Sequence, residues 1–417
     1  MNDYHSYREL KYKPRWIAPL LRNAIKEHSV IVITGARQVG KSTLLLNERP
    51  FSNWRYFSMD DFNALYQANS DPVSLWSGTE HIVLDEVQKA PKILEAVKLT
   101  VDTNPGKYHF ILSGSANILL MKKVSETLAG RAIFFTLLPM TLGEINNISP
   151  TNILINLFKG EFPKEKKYSN KKNDPFLHMW KGFMPRLIQF EKVEDVILWW
   201  EGYVSTFLER DLRQLSQIVF LPDFRRLMEI LALRCGQILN QTEISRDSGI
   251  SQPTVFRYIN LLETTCLLER LPAFAQSRTK RLIKSPKITW FEPGLVSFLS
   301  GHYDSNSVTS SREAGGIFES MIYLHLRSLS GLLMPKARIY YWRTINGKEV
   351  DFVLERGRNL IAVEVKLTKN PKYSDIETLK LFIEEYPEAL AGLLVHAGNE
   401  VKRFHDKIAA IPWFLLK

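Results

Sequence analysis

The chain has 417 residues, 45% hydrophobic and 24% charged, which is the composition of an ordinary globular protein with a large core, and its length suggests about three domains. Two cysteines, Cys235 and Cys266, exclude a disulfide framework and supply no metal-ligand set, so a reduced, cytoplasmic setting is expected. The net charge of +11 leans towards a polyanionic partner, whereas the absence of an apolar stretch in Met1 to Lys13 and of any run near ~18 apolar residues argues against a signal peptide and a membrane span.

Trp16 to Glu27 alternates apolar and polar residues at helical spacing and leads into Val30-Ile31-Val32-Ile33, a β-branched run that reads as a buried parallel strand. Gly35-Ala36-Arg37-Gln38-Val39-Gly40-Lys41-Ser42-Thr43 follows and matches the phosphate-binding loop in full. Its glycines let backbone N–H groups wrap a phosphate where a Cβ would clash. Lys41 is expected to reach the β- and γ-phosphates, and Ser42 to offer its hydroxyl to Mg²⁺. Trp54 to Ser58 reads as a short strand. His81 to Leu84 reads as another, ending in Asp85-Glu86, a Walker B pattern. Asp85 would hold Mg²⁺ and Glu86 would polarise the attacking water.

Tyr108 to Leu112 is a further strand, running into Ser113-Gly114-Ser115-Ala116-Asn117. Parallel strands end around one crevice, so Ser115 either senses the γ-phosphate or simply caps a helix. Arg131, in Leu128-Ala129-Gly130-Arg131, reads either as an arginine finger, acting in cis or from a neighbouring subunit of a homo-oligomer, or as a plain surface arginine.

These motifs resemble AAA-type ATPases of bacteria and archaea that carry a C-terminal domain of unknown function. The resembling residues are Gly35 to Lys41, Leu84 to Gln88, Leu112 to Ser115, Leu128 to Arg131, Leu138-Pro139-Met140, Tyr203 to Leu212, Lys284 to Lys287 and Glu349 to Phe352. The resemblance covers nearly the whole chain and implies ATP as the nucleotide.

Lys159 to Pro175 is polar and lysine-rich and reads as a solvated loop between domains. Trp199, Trp200 and Phe207 read as core of a following helix. Leu239 to Glu263 reads as a helix-turn-helix, with Gly249 at the turn, Ser251 as cap of the second helix and Pro253 in its first turn. Val255, Ile259 and Leu262 would pack inward while Gln252, Thr254 and Arg257 face out. The strand-like Cys266 to Leu271 would complete a winged helix. Such modules contact DNA or only a protein partner. Arg278 to Lys287, with five basic residues and no acid, suits phosphate contacts.

Arg338 to Arg343, Glu349 to Leu354 and Leu360 to Leu367 read as three strands, with Asn346-Gly347 as a hairpin turn. If Gly357-Arg358 is a two-residue loop, Arg356 pairs with Asn359 and Asp351 stands opposite Glu364. Lys366 shares the face of Glu364. Two carboxylates and an ammonium so arranged either hold a divalent metal for phosphodiester attack or form a solvated face with a Glu–Lys pair. The arrangement resembles the restriction-endonuclease-like fold, which implies Glu319 as a fourth member. In Trp290-Phe291-Glu292-Pro293-Gly294 the chain departs from the family pattern of Asp then Ser or Thr before the glycine.

The expected fold class is α/β: an AAA-like P-loop NTPase parallel-sheet domain (1–148), a helical extension (149–225), a winged helix-turn-helix (226–275) and an α/β restriction-endonuclease-like domain (276–417). The expected function is Mg²⁺-dependent ATP hydrolysis controlling a DNA-binding, metal-dependent nuclease. The alternative is an ATP-driven switch whose nuclease-like half only binds DNA or a protein.

Overall fold

Val30, Ile31, Val32 and Ile33 are buried on both faces of a sheet, as a β-branched run requires when helices cover both sides. In the computed structural model, which describes residues 11–114, 126–169, 174–206, 220–277, 279, 281 and 284–417, this run forms β1 (Val30–Thr34). It joins β2 (Arg55–Ser58), β3 (His81–Asp85), β4 (His109–Ser113) and β5 (Ala132–Thr136) in the order β2-β3-β4-β1-β5, every pair parallel. Side chains alternate between two cores. Ile31, Ile33, Val83 and Ile111 enter one, and Val30, Val32, Ile82 and Leu84 the other. Each such side chain contributes about 1.5–3 kcal/mol on burial. The parallel strands need crossovers, supplied by α2 (Lys41–Asn47), α3 (Phe62–Ser70) and α4 (Ile93–Thr103), while α1 (Ala18–Glu27) precedes β1 and buries Leu21 and Ile25. The edge strand β5 is not signalled by the sequence, because its Ala-Ile-Phe-Phe-Thr is only half-buried.

Within the described part of 159–175, Lys166 and Lys167 are exposed, as a solvated loop requires, but they also pair with another segment. Lys166–Lys167 forms β6, an edge strand paired to the far C-terminal sheet through Lys167 opposite Glu400. Beyond α5 (Val193–Thr206), which buries Trp200, come α6 (Leu221–Leu233), α7 (Gln241–Ser248) and α8 (Gln252–Thr264). Gly249 turns the chain between α7 and α8 at φ +69°, left-handed geometry that glycine adopts freely. Val255, Tyr258, Ile259 and Leu262 form the buried face of α8. Ser251 stands at its N-cap, but its hydroxyl donates to Thr254 Oγ1 (3.0 Å) rather than accepting a backbone N–H. β7 (Leu268–Leu271) and β8 (Lys287–Trp290) then pair antiparallel.

The C-terminal part is α9 (Pro293–Leu299), α10 (Ala314–Leu332), the meander β9 (Arg338–Arg343), β10 (Glu349–Arg356) and β11 (Asn359–Lys366), then α11 (Glu377–Glu385), β12 (Ala389–His396), β13 (Glu400–His405) and β14 (Ile408–Pro412). Its sheet order is β6-β13-β14-β12-β11-β10-β9, with β11, β12 and β14 parallel. Arg356 pairs with Asn359, the register that a two-residue Gly357-Arg358 loop demands. Pro293 is accommodated in the first turn of α9, where its missing N–H costs nothing, and Glu292 caps that helix through Gly294 N–H. One contiguous apolar core runs from Ile31 through Met184, Trp200, Ile259 and Phe318 to Val363 and Trp413. Among the described residues, no helix is long and apolar enough to cross a membrane.

Candidate nucleotide site and a buried lysine–carboxylate cluster

The loop after β1 has the geometry its glycines permit. Gly35 lies at φ +148°, and a Cβ there would sit 2.2 Å from the Leu137 carbonyl oxygen. That carbonyl is close because Leu137 N–H bonds to Thr34 O (2.8 Å). Gln38 and Gly40 also have positive φ, +62° and +93°. Ala36 and Val39 are buried, Arg37 is half-buried, and Gln38 and Thr43 are exposed. Lys41 is buried and its Nζ donates to Gly35 O (3.1 Å) and Ala36 O (3.0 Å), spanning the loop.

Ser42 Oγ donates to Asp85 Oδ2 at 2.5 Å, so the loop serine and the acidic end of β3 converge. Tyr56 on β2 donates to the same oxygen at 2.5 Å. Burial first, and then the bond to Asp85, push its phenol pKa up. Asp85 Oδ1 accepts Glu86 N–H (3.0 Å), and Glu86 sits in left-handed geometry (φ +54°), bonded by Gln88. Behind the loop, buried Arg15 donates to Val39 O (2.8 Å), Leu138 O (2.7 Å) and Glu144 Oε1 (3.2 Å). Neither Tyr56 nor Arg15 carries a motif, so sequence reasoning passes over both.

Ser115 lies outside the described residues. Arg131 corrects the cis-finger expectation. Val30 pairs with Ala132 and Thr34 with Thr136, so Arg131 stands level with the start of β1, whereas the phosphate loop leaves its end. Four residues of strand separate the two edges by about 13 Å. Arg131 is instead held by Asp102 of α4 (2.5 and 2.9 Å).

The basic run Arg278 to Lys287 is corrected where it is described. Arg281 forks onto Glu355 (2.9 and 3.0 Å) and stacks on Phe274 and Tyr340. Lys287 is 1% exposed, with Nζ 2.8 Å from Glu319, 2.6 Å from Glu349 and 3.3 Å from Asp351. Burial alone would lower its pKa, but the three carboxylates hold it well above the usual lysine value. On α8, Gln252 is exposed and bonds Thr242 (2.9 Å), while Thr254 and Arg257 are only half-exposed, with Arg257 folded over Tyr258.

Asp351 and Glu364 are brought together as the hairpin register requires, but not as free metal ligands. Asp351 Oδ2 accepts Val365 N–H (2.8 Å), and Glu364 Oε1 pairs with Lys366 (2.7 Å). Burial first, then the charge of Asp351, push the Glu364 carboxyl up to about 8 against the opposing pull of Lys366. Burial likewise raises Glu319 to about 8, opposed by Lys287. Among the described residues, no group of three or more His, Cys, Asp or Glu side chains is arranged to hold a metal ion. Asp351 is held by the Lys287 ammonium and the Val365 N–H, and Glu364 by Lys366.

The parallel sheet, the loop and the Asp85–Ser42 contact fit a P-loop NTPase α/β domain of AAA-like kind. Residues 27–146 match the family described as an AAA domain, residues 173–306 a domain of unknown function (DUF8612), and residues 314–416 a domain of unknown function (DUF4143). The chain is 28% identical over 397 residues to the uncharacterized protein Rv2008c of Mycobacterium tuberculosis, covering 95% of this chain and 82% of that one. It is 22% identical to the uncharacterized protein MJ1544 of Methanocaldococcus jannaschii, covering 88% and 80%. A solved structure, the Walker-type ATPase PABY2304 of Pyrococcus abyssi, aligns with 13% identity and a TM-score of 0.44 over 70% of this chain and 99% of that one.

Proposed function

We propose that the chain is a Mg²⁺-dependent ATPase whose nucleotide state sets how its C-terminal half engages a partner. The observation that carries the reading is the 2.5 Å contact between Ser42 Oγ and Asp85 Oδ2, with Lys41 spanning the loop beside it. A hydroxyl and a carboxylate are oxygen ligands of the kind Mg²⁺ takes, so Ser42 and Asp85 fit it. When bound, the ion neutralises charge on the β- and γ-phosphates. Lys41 exchanges its two carbonyl partners for phosphate oxygens, and the amides of Gly35 to Thr43 wrap them. Glu86 orients the attacking water and accepts its proton on the carboxylate, a role worth ~10²–10⁴ in rate.

In this reading the nucleotide site is coupled to the C-terminal half through α10. Leu142 N–H, next to the Thr141–Glu144 turn that Arg15 grips, donates to His325 Nε2 (3.0 Å). Glu319, on the Lys287 cluster, lies six residues earlier on α10, about 9 Å along its axis. The net charge of +11 and the helix pair α7–α8 favour nucleic acid as the partner, with a protein as the alternative. A homo-oligomer would let Arg131 act on a neighbour's nucleotide. A second reading, a metal-dependent nuclease, draws on Asp351, Glu364 and Lys366 sharing one corner of the sheet.

ATP turnover measured with Lys41→Ala and Glu86→Gln variants tests the first reading. Both should lose turnover, and Glu86→Gln should still bind ATP; normal turnover in Lys41→Ala would overturn it. Plasmid incubated with Mg²⁺ or Mn²⁺, with and without ATP, tests the second. Cleavage abolished by Glu364→Ala and by Lys366→Ala would support a nuclease, and cleavage surviving both would remove the proposed site.

A further inference from the structure

We infer that Lys287 is the resident cation of the C-terminal carboxylate cluster, so that while β8 is seated this site takes no divalent metal. Three carboxylates from two elements, Glu319 of α10 and Glu349 and Asp351 of β10, close on one ammonium at 2.6–3.3 Å. A lysine side chain with 1% exposure is rare, and it persists only where charge and hydrogen bonds compensate the lost water. Here they do. The same carboxylates would otherwise be three like charges in a buried corner, and they need a cation.

The remaining oxygens leave too few ligands for a second cation. Asp351 spends Oδ1 on Lys287 and Oδ2 on Val365 N–H. Glu364 spends Oε1 on Lys366. Glu364 Oε2 is buried without a hydrogen-bond partner and Glu319 Oε1 meets only the Lys287 ammonium, fewer oxygens than the several that Mg²⁺ or Mn²⁺ would want in a fixed geometry. A divalent ion beside it would also face two ammonium groups, Lys287 and Lys366, at close range and in a poorly screened interior.

The cation comes from outside the helix and the sheet that carry the carboxylates. Lys287 opens β8, which pairs with β7 and is tied to the end of α6 by Gly236 N–H to Ile288 O (2.9 Å), Ile288 N–H to Gln237 O (2.9 Å) and Leu239 N–H to Pro286 O (2.8 Å). The helix-turn-helix region therefore holds a plug in the C-terminal cluster. Metal loading requires that β8 withdraw, which makes the metal-dependent nuclease reading conditional on that movement and leaves the ATPase reading untouched.

The test is Mn²⁺ titration of the full chain without nucleotide, followed by electron paramagnetic resonance of the free ion. Wild type and Glu364→Gln should bind Mn²⁺ alike, because the cluster takes none. Lys287→Met, which keeps an unbranched apolar stem without the charge, should gain one site per chain at least tenfold tighter than any in wild type, and Lys287→Met with Glu364→Gln should lose it. Lys287→Arg should stay like wild type. A wild-type site that disappears in Glu364→Gln overturns the inference, and so does a folded Lys287→Met that gains nothing. The wild-type arm decides even if Lys287→Met does not fold.

Discussion

Arg15 offers the sharpest test of how the phosphate loop is held. Its guanidinium is buried and donates to Val39 O, Leu138 O and Glu144 Oε1, joining the loop to the strand exit and the Thr141–Glu144 turn. Arg15→Met removes all three bonds. Breaking one side of a buried ion pair costs about 3–5 kcal/mol. Two carbonyls left without a donor add about 1–3 kcal/mol each where water cannot reach them. Glu144 keeps Trp16 N–H (2.7 Å) and Thr141 N–H (2.8 Å), so its charge is not stranded and the lower end of the first range applies. A net loss of at least about 5 kcal/mol is expected, about 3 from the broken pair and about 1 from each carbonyl. Arg15→Lys should lose part of it, because a single ammonium cannot match a planar fork aimed at three acceptors. Hydrogen exchange of residues 30–48 reads the loop locally, denaturant unfolding reads the total, and the KM for ATP should rise in step. Wild-type exchange in that segment together with an unshifted unfolding midpoint in Arg15→Met would refute the clamp.

Gly35→Ala should abolish ATP binding and cost at least about 3 kcal/mol, since its Cβ meets the backbone of Leu137 at 2.2 Å. Gly78→Ala is the control, with φ +79° and nothing within 4 Å, and should cost only about 1–2 kcal/mol; equal effects, compared by unfolding midpoint, would count against the close approach. Arg131→Ala should leave turnover of dilute, monomeric protein within about twofold of wild type, because the sheet register keeps this residue about 13 Å from the loop; a large drop measured at that dilution would contradict the register argument. His325 accepts Leu142 N–H at Nε2 and faces Met321 O with Nδ1, so it is neutral, and burial holds its pKa down at about 4 against 6.5 in an open chain. The unfolded chain therefore binds more protons between these values. The contribution, about 3 kcal/mol, is complete above pH 6.5 and is lost as pH falls towards 4. His325→Gln should reduce the slope of the stability profile between pH 7.5 and 5, with His178 and His396, also held down by burial, supplying the rest; an unchanged slope would remove His325 as a source of it.

Much of the ATPase half could be read locally. The phosphate loop and the strand before it announce themselves because a glycine pattern and four β-branched residues are short-range signals with one good structural solution. Asp85-Glu86 gains meaning from standing at a strand end, and the Arg356–Asn359 register follows from a two-residue turn. Edge strand β5 stayed hidden because half-exposed strands carry weak patterns.

What the amino-acid order determined by itself was the set of elements whose signals lie within a few residues: the loop, the acidic strand end, the helix pair and the three-stranded meander. Tertiary structure alone decided the partners of the long polar side chains. Lys287 and Arg281 belong to a basic run that resembles a phosphate-contacting surface, yet both turn inward to carboxylates more than thirty residues away. Arg131 sits in a plausible finger motif, yet strand register puts it at the wrong edge. The physical reason is common to all of them. A charge in sequence has no sign of burial, and whether it meets water, an anion or a counter-charge depends on which distant segment packs against it.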